Sequence, residues 1–415
     1  MQNQNSVWGG FGLERETLRV DKNGQLAQTP HPFTDPHISR DFCDDQVELI
    51  TPVCTDIETM LQELDTLDRD TRQTLANRDE YIWLYSNPPI LEKDSDILLA
   101  QYHGAEANKY AYRHHLEERY GKRRMLYSGI HFNVSFSLDY LKDRYEREKL
   151  SEETYAQFCD RFYFRLMKHL THSSWLLVML TAASPTYDKS LFETDVTGTA
   201  FDGHASMRNG LQGYWNRFTP ILDYTNLSTY LESVGRYVRS GMLLSAAELY
   251  MPIRLKPKGD NRLETLAETG VDHVELRMFD LNPLEPLGIA QEDLEFACLW
   301  MEYLTTLPDF EFTPRMQADA MTWHKDAALY DLDVISVQDK PALTVALDLL
   351  DSLCAYFSEN ADALHILEFE RRKLTGTRPC ETVRSRIGQA YTQNVMEISA
   401  RTYANVSEGK DRQHV

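Results

Sequence analysis

The chain of 415 residues is 42% hydrophobic and 26% charged, a composition that can bury a sizeable core and excludes a disordered or fibrous polymer. Its 43 Lys and Arg stand against 64 Asp and Glu, a net charge of −21, which argues against non-specific attachment to nucleic acid or to an anionic membrane. Six scattered cysteines, Cys43, Cys54, Cys159, Cys298, Cys354 and Cys380, form no CxxC pair, so neither a zinc ribbon nor a disulfide framework is expected and a reduced cytoplasm is the simplest setting.

The opening "MQNQNSVWGG" has no basic segment followed by an apolar run, and the longest strongly apolar stretch, Trp175 to Ala183, is too short to span a bilayer; neither export nor membrane insertion is expected. In "GLERETLRV", Gly12 to Val20, a strand places Glu14 and Glu16 on one face and Arg15 on the other, whereas on a helix the two glutamates would stand about 200° apart. "RDFCDDQVELITPV" carries Asp41 and Glu48 and ends in a short β run closed by Pro52. Asp44 and Asp45 are expected to cap a turn there, and Cys43 to act as a small hydrophobe. Thr55 and Glu58 have the spacing of a capping box that opens a helix toward Asn77, and a second helix is predicted over about 104–120.

"SGIHFNVSFSL" alternates with period two: Ile130, Phe132, Val134, Phe136 and Leu138 interleave with His131, Asn133, Ser135 and Ser137, the mark of a strand with one buried face. Helices are predicted near 152–181 and 227–240. "ELYMPIRLK" then opposes Leu249, Met251, Ile253 and Leu255 to Tyr250, Pro252, Arg254 and Lys256, and "HVELRMFDL" opposes Val274, Leu276 and Met278 to His273, Glu275 and Arg277. A helix follows over 290–306, and from about Lys340 the chain reads as helical. No Pro/Gly/Ser-rich linker or repeat interrupts it, so one domain, 1–415, is expected. The class is α+β: an antiparallel sheet with helices on its apolar side and a helical C-terminal region.

Solvation explains a polar face on any one strand. These faces together, however, carry Glu14, Glu16, Asp41, Glu48, His131 and Glu275, with Arg208, Arg254, Lys256 and Arg277. Carboxylates 4 Å apart repel by ~1 kcal/mol in water and several times more where water is excluded, so such a cluster needs cations. Oxygen ligands with one imidazole suit Mg²⁺ or Mn²⁺ rather than zinc, which suggests phosphoryl transfer. No P-loop, no GxGxxG after a strand, no GxSxG and no HExxH occurs, so a nucleotide would be held by another route.

The set "GLERETLRV", "DFCDDQVELITP", "RYGKRRMLYSGIHFNVS", "AASPTYDKS", "ELYMPIRLK" and "VELRMFDLNPLEPLGI" resembles glutamate–cysteine ligase of the bacterial type, including the N-terminal ligase module of bifunctional glutathione synthases. The resemblance covers roughly residues 9–290. It implies a curved antiparallel sheet forming a funnel-like active site of the glutamine-synthetase-like, carboxylate–amine ligase type. It further implies ATP-dependent joining of the glutamate γ-carboxylate to the cysteine amine through γ-glutamyl phosphate. Matched position by position, the metal-binding acids are Glu14, Glu16, Asp41, Glu48 and Glu275, with His131 as the metal-associated histidine.

By the same resemblance Arg277 addresses glutamate or the transferring phosphoryl, Arg208 and Tyr214 line the substrate sites, and Tyr250 belongs to the cysteine site. Arg254, Lys256 and Arg113 would meet phosphate. Segment 189–208 matches only loosely, which leaves another amine acceptor open, and no ATP-grasp module follows, so the dipeptide rather than glutathione is the expected product. The expected partners are small molecules (glutamate, cysteine, ATP with Mg²⁺ or Mn²⁺), with no nucleic acid or membrane. A two-metal hydrolase and a metal-stabilised binding protein are the alternatives from other classes.

Overall fold

Period-two segments become strands in the computed structural model, which describes residues 7–102 and 107–407. Seven of them, β1 (Trp8–Asp21), β2 (Ile38–Arg40), β3 (Gln46–Ile50), β4 (Glu80–Trp83), β5 (Ile130–Phe136), β8 (Ile253–Lys256) and β9 (His273–Phe279), make one sheet. Its order is β2-β3-β1-β5-β9-β8, with β4 paired to the far end of β1, and every pairing is antiparallel. Two hairpins stand apart: β6 (Tyr187–Asp188) with β7 (Thr199–Ala200), and β10 (Ser336–Val337) with β11 (Lys340–Pro341).

Thirteen helices are present among the described residues. α1 (Ile57–Ala76), α2 (Ala107–Tyr120), α3 (Leu138–Glu148), α4 (Tyr155–Ser173), α5 (Trp175–Thr181), α6 (Leu227–Arg239) and α7 (Leu263–Thr269) fall between the strands. After β9 come α8 (Gln291–Leu304), α9 (Pro314–Asp326), α10 (Ala342–Tyr356), α11 (Ala361–Thr375), α12 (Pro379–Ile387) and α13 (Tyr391–Ser407). No helix is long and apolar enough to cross a membrane among the described residues.

The apolar face of the sheet, Phe11 and Leu13 of β1, Phe132 and Val134 of β5, Leu276 of β9 and Ile253 of β8, joins α1, α4, α5 and α8 in the principal core. The opposite face is not simply wet. At its far end Leu18 and Val20 of β1 enter a second core with Trp83, Tyr85, Leu116 of α2 and Tyr391 of α13. One strand therefore runs between two cores, and the polar residues midway along it are shielded from solvent.

Four expectations are revised locally. The N-cap of α1 is Asp56, whose Oδ1 accepts from the Thr59 amide at 2.7 Å, rather than Thr55 with Glu58; an aspartate one residue on fills the capping role. The helix predicted over 152–181 is two, broken at Ser174, whose hydroxyl meets His324 Nδ1 at 2.8 Å. The "ELYMPIRLK" strand is shorter than its alternation: Glu248 lies in a 3₁₀ turn and β8 begins only at Ile253, after Pro252, because proline cannot donate to a ladder. Asp44 and Asp45 lie in the expected turn, closed by the Gln46 amide on the Cys43 carbonyl, but their carboxylates face arginines instead of capping it: Asp44 lies 3.4 Å from Arg40, and Asp45 3.8 Å from Arg19. The first residues of the helix predicted from 104 lie outside the described residues; α2 is observed from Ala107.

Candidate active site

Register assembles the acids. Across β1 and β5, Glu14 stands opposite His131; across β1 and β3, Glu16 opposite Glu48; across β9, Glu275 faces Asn133 of β5 on one side and Arg254 of β8 on the other. Residues directly opposite in antiparallel strands share a face with Cβ atoms about 4.5–5.5 Å apart. The β5–β9 ladder shifts register between Ile130 and Phe132, and the irregularity sits at His131, as bulges beside functional sites often do.

Among the described residues, Glu14, His131 and Glu275 offer ligand atoms that all lie within 4.8 Å of one another. His131 Nδ1 is 3.2 Å from Glu14 Oε2 and 3.9 Å from Glu275 Oε1, and its Nε2 is 3.6 Å from Glu16 Oε1. Its Nε2, Glu275 Oε2 and the Asn133 amide oxygen are buried without a hydrogen-bond partner. Orphaned acceptors of this kind, on an oxygen-rich set with one imidazole, fit a hard divalent cation. Asp41 Oδ1 lies 3.8 Å from Arg113, whose Nε also donates to the Asp41 carbonyl.

Charge follows the same geometry. Burial and then Arg277 push His131 down to about 4, so its imidazole is neutral and able to ligate. Burial would raise the Glu275 carboxyl, but Arg277 and Lys256, at 3.0 and 3.3 Å, hold it well below the usual carboxylate range. Glu14 is likewise lowered against burial by its hydrogen bond with His131. Glu16 and Glu48 go the other way: burial and neighbouring acids raise Glu16 to about 8 and Glu48 well above its ordinary value. These two carboxyls are thus held toward their protonated form as the site stands, and a bound cation would favour their ionised form.

A small cleft adjoins the acids. Arg208, Asn209, Tyr214, Trp215, Tyr250, Met251, Pro252 and Arg277 line about 30 Å³, room for one or two waters. Arg277 joins the two regions, since its Nη1 lies 3.4 Å from His131 Nδ1 while the residue also lines the cleft. The Tyr214 and Tyr250 rings are 4.2 Å apart. Arg208 donates to the Phe279 carbonyl, and a Cβ at Gly129 would fall 2.4 Å from its guanidinium carbon; the glycine of "SGIHFN" makes room for that charge.

Of the cations expected to meet phosphate, Lys256 reaches the acids. Arg254 instead donates to the Leu249 and Ala247 carbonyls. Arg113 joins Arg40 and Lys109 around the Tyr102 ring, 4.6, 4.9 and 5.2 Å from its centroid, a local basic cluster on an acidic chain.

Sequence reading missed the supports. Asp280, buried just beyond β9, accepts from the Ala183 amide, the Ser184 and Ser206 hydroxyls and Asn209 Nδ2, fastening the loops on either side of Arg208. Its signal was an acid closing an apolar strand. Asn133 donates to Glu14 Oε1 at 3.2 Å and lay in plain view on the polar face. A larger cavity of about 390 Å³, lined by Phe201, Tyr330, Glu381 and Arg384 among others, shares no residue with this site.

A family model described as glutamate–cysteine ligase matches residues 2–242 and 218–325. The bifunctional glutathione biosynthesis protein GshAB of Listeria monocytogenes is 34% identical over 407 residues, covering 93% of this chain and 52% of that protein; the chain spans about half the length of the curated relatives it matches. A crystal structure of glutamate–cysteine ligase from Francisella tularensis in complex with AMP superposes with a TM-score of 0.85 at 24% identity, covering 96% of this chain and 89% of the other. A bifunctional glutathione synthetase from Pasteurella multocida gives 0.83 at 26% identity, over 97% and 53%.

Proposed function

This chain belongs to the glutamate–cysteine ligase family, and from that premise we propose that it joins the γ-carboxylate of L-glutamate to the amine of L-cysteine with ATP. γ-Glutamyl phosphate is the intermediate and γ-glutamylcysteine the product, the first step of glutathione biosynthesis. The observation that carries the reading is Arg277, a cation with one side on Glu275 and His131 and the other on the Arg208–Tyr214–Tyr250 cleft. A carboxylate substrate held by Arg277 and Arg208 would lie beside the acids.

The donor set fits a metal. Glu14, Glu16, Asp41, Glu48, His131 and Glu275 would hold Mg²⁺ or Mn²⁺, which supplies charge compensation to the ATP phosphates. The protein's own contribution is position. Arg277 and Arg208 orient the glutamate carboxylates, Lys256 and Arg113 meet phosphate oxygens, and Arg254 shapes the 247–249 turn that leads to Tyr250. Tyr250 and Tyr214 close over the amine and exclude water, which would otherwise hydrolyse the acyl phosphate. A single catalytic domain, 1–415, is part of this proposal.

The test is purified protein with ATP, Mg²⁺ and glutamate, screened against cysteine and other amines for ADP release and for product mass. γ-Glutamylcysteine is expected. Turnover with another amine and none with cysteine would transfer the reading to a ligase of different acceptor, and ADP release without any amine or glutamate would end it.

A further inference from the structure

Beside the cleft lies a buried polar junction that no step above uses. Glu248, fully buried in its 3₁₀ turn, gathers the last turns of α2: Tyr120 Oη donates to it at 2.7 Å, Arg119 Nη1 is 3.2 Å away and His115 Nε2 3.4 Å. The Leu244 amide also donates to it, at 2.6 Å. Asn216, two residues after Tyr214, completes the link. Its Nδ2 donates to the Glu248 carbonyl at 2.7 Å and to Tyr120 Oη at 3.1 Å, and its Oδ1 accepts from the Tyr250 amide at 2.9 Å. The Tyr120 ring packs on Tyr250 with centroids 5.5 Å apart.

We infer that Glu248 and Asn216 are positioning residues for the amine-acceptor side of the cleft, setting Tyr250 against Tyr214 through the end of α2. The inference rests on the function proposed above. Its physical basis is the count of bonds on one short segment: Tyr250 is fixed by its amide on Asn216, by its ring on Tyr120 and by the turn that Glu248 closes, and all three lead back to α2. A buried carboxylate facing Arg119 and His115 is strongly held in place, so the tyrosine inherits a defined position instead of a range of rotamers. The opposite wall, where Arg208 hangs from loops bound to Asp280, is supported separately. Loss of the junction should therefore change amine binding and leave glutamate and ATP alone.

Asn216→Ala and Glu248→Gln are expected to raise the KM for cysteine tenfold or more, with the KM values for glutamate and ATP within twofold of wild type. Glu248→Asp should recover part of the loss by keeping the charge. An equal rise in all three KM values, or a fall in kcat alone, would overturn the inference. Amide hydrogen exchange on the same proteins without substrates should show residues 115–120 and 249–251 losing protection together, with α4 and α8 unchanged; unchanged exchange at 249–251 would overturn it too. If Glu248→Gln fails to fold, the half-buried Arg119→Gln tests the link from outside and should give the same cysteine-only shift, about threefold; no shift there counts against the proposal. A wild-type protein with no cysteine-dependent turnover defeats the proposed function, while the exchange result still decides whether this junction holds Tyr250.

Discussion

The two faces of β1 carry similar charges to opposite ends. On one face Arg15 pairs with Asp68, which also holds Arg72 at 2.6 Å, and Arg19 pairs with Glu80 at 2.6 Å; each arginine has its acid. On the other, Glu14 and Glu16 meet Glu48, His131 and Glu275, with buried acceptors left over. Charge on a strand does not distinguish structure from function. Pairing does: on the first, matched face each arginine meets a carboxylate even though Arg15 Nε, Arg19 Nε and both Asp45 oxygens lack a hydrogen-bond partner, whereas on the second the acids cluster on one another around a single imidazole.

The matched face breaks most dramatically. Asp68→Ala strands Arg15 in the principal core and is expected to lower the unfolding free energy in urea by about 3–5 kcal/mol, whereas Arg15→Met with Asp68→Leu should restore most of it. The clustered face should respond in activity. Glu275→Gln and Glu48→Gln should cut ADP release by roughly 10²–10³-fold or more with the circular dichroism of the folded protein retained; near-normal turnover in both would mean that the acid cluster has no ligand. Third, Mg²⁺ at 100 times its Kd should stabilise wild type by about 2.7 kcal/mol and Glu275→Gln far less, read as the shift in Tm.

Two smaller effects sharpen the contrast. Tyr250→Phe keeps the ring and loses one hydroxyl, so a rise of about tenfold in the cysteine KM is expected, near the worth of one hydrogen bond, with ATP unaffected. The last concerns a point where the matched face is itself in surplus: Arg19 sits 2.6 Å from Glu80 and 3.8 Å from Asp45, and burial pushes Asp45 up to about 8. With the folded value above the ordinary 3.8, the folded protein binds the extra proton. The stability this contributes is full below about pH 4 and is lost as pH rises through 8, at no more than ~1.4 kcal/mol per pH unit. Asp45→Asn should flatten that slope in denaturation curves between pH 6 and 9.

Much of this was legible in the sequence because a strand has period two. Alternation puts Glu14 and Glu16 on one face of their strand and His131 and Glu275 on the polar faces of theirs, and β5 and β9 follow from the apolar residues between them, but that these faces coincide comes from the pairing of β1, β5 and β9. Arg15's structural partner was legible as a need, though Asp68 itself was not. Edge strands β2 and β4, of three and four residues, are too short to show a period. The break at Ser174 has no Gly or Pro to mark it; a tertiary contact with His324 accompanies it. Arg208 and Tyr214 lie in irregular chain, where spacing carries no geometry, and only resemblance brought them forward. Asp280, Glu248 and Asn216 act through bonds to backbone atoms distant in sequence, which no local pattern reveals.

Gly129 gives the site a dimension apart from charge. With the Arg208 guanidinium lying where a side chain at 129 would begin, a single methyl group there would act as a wedge, tilting the arginine off its carbonyl while leaving every acid and base in the formula. Such a variant would separate the shape of the pocket from its electrostatics: the same charges, aimed elsewhere.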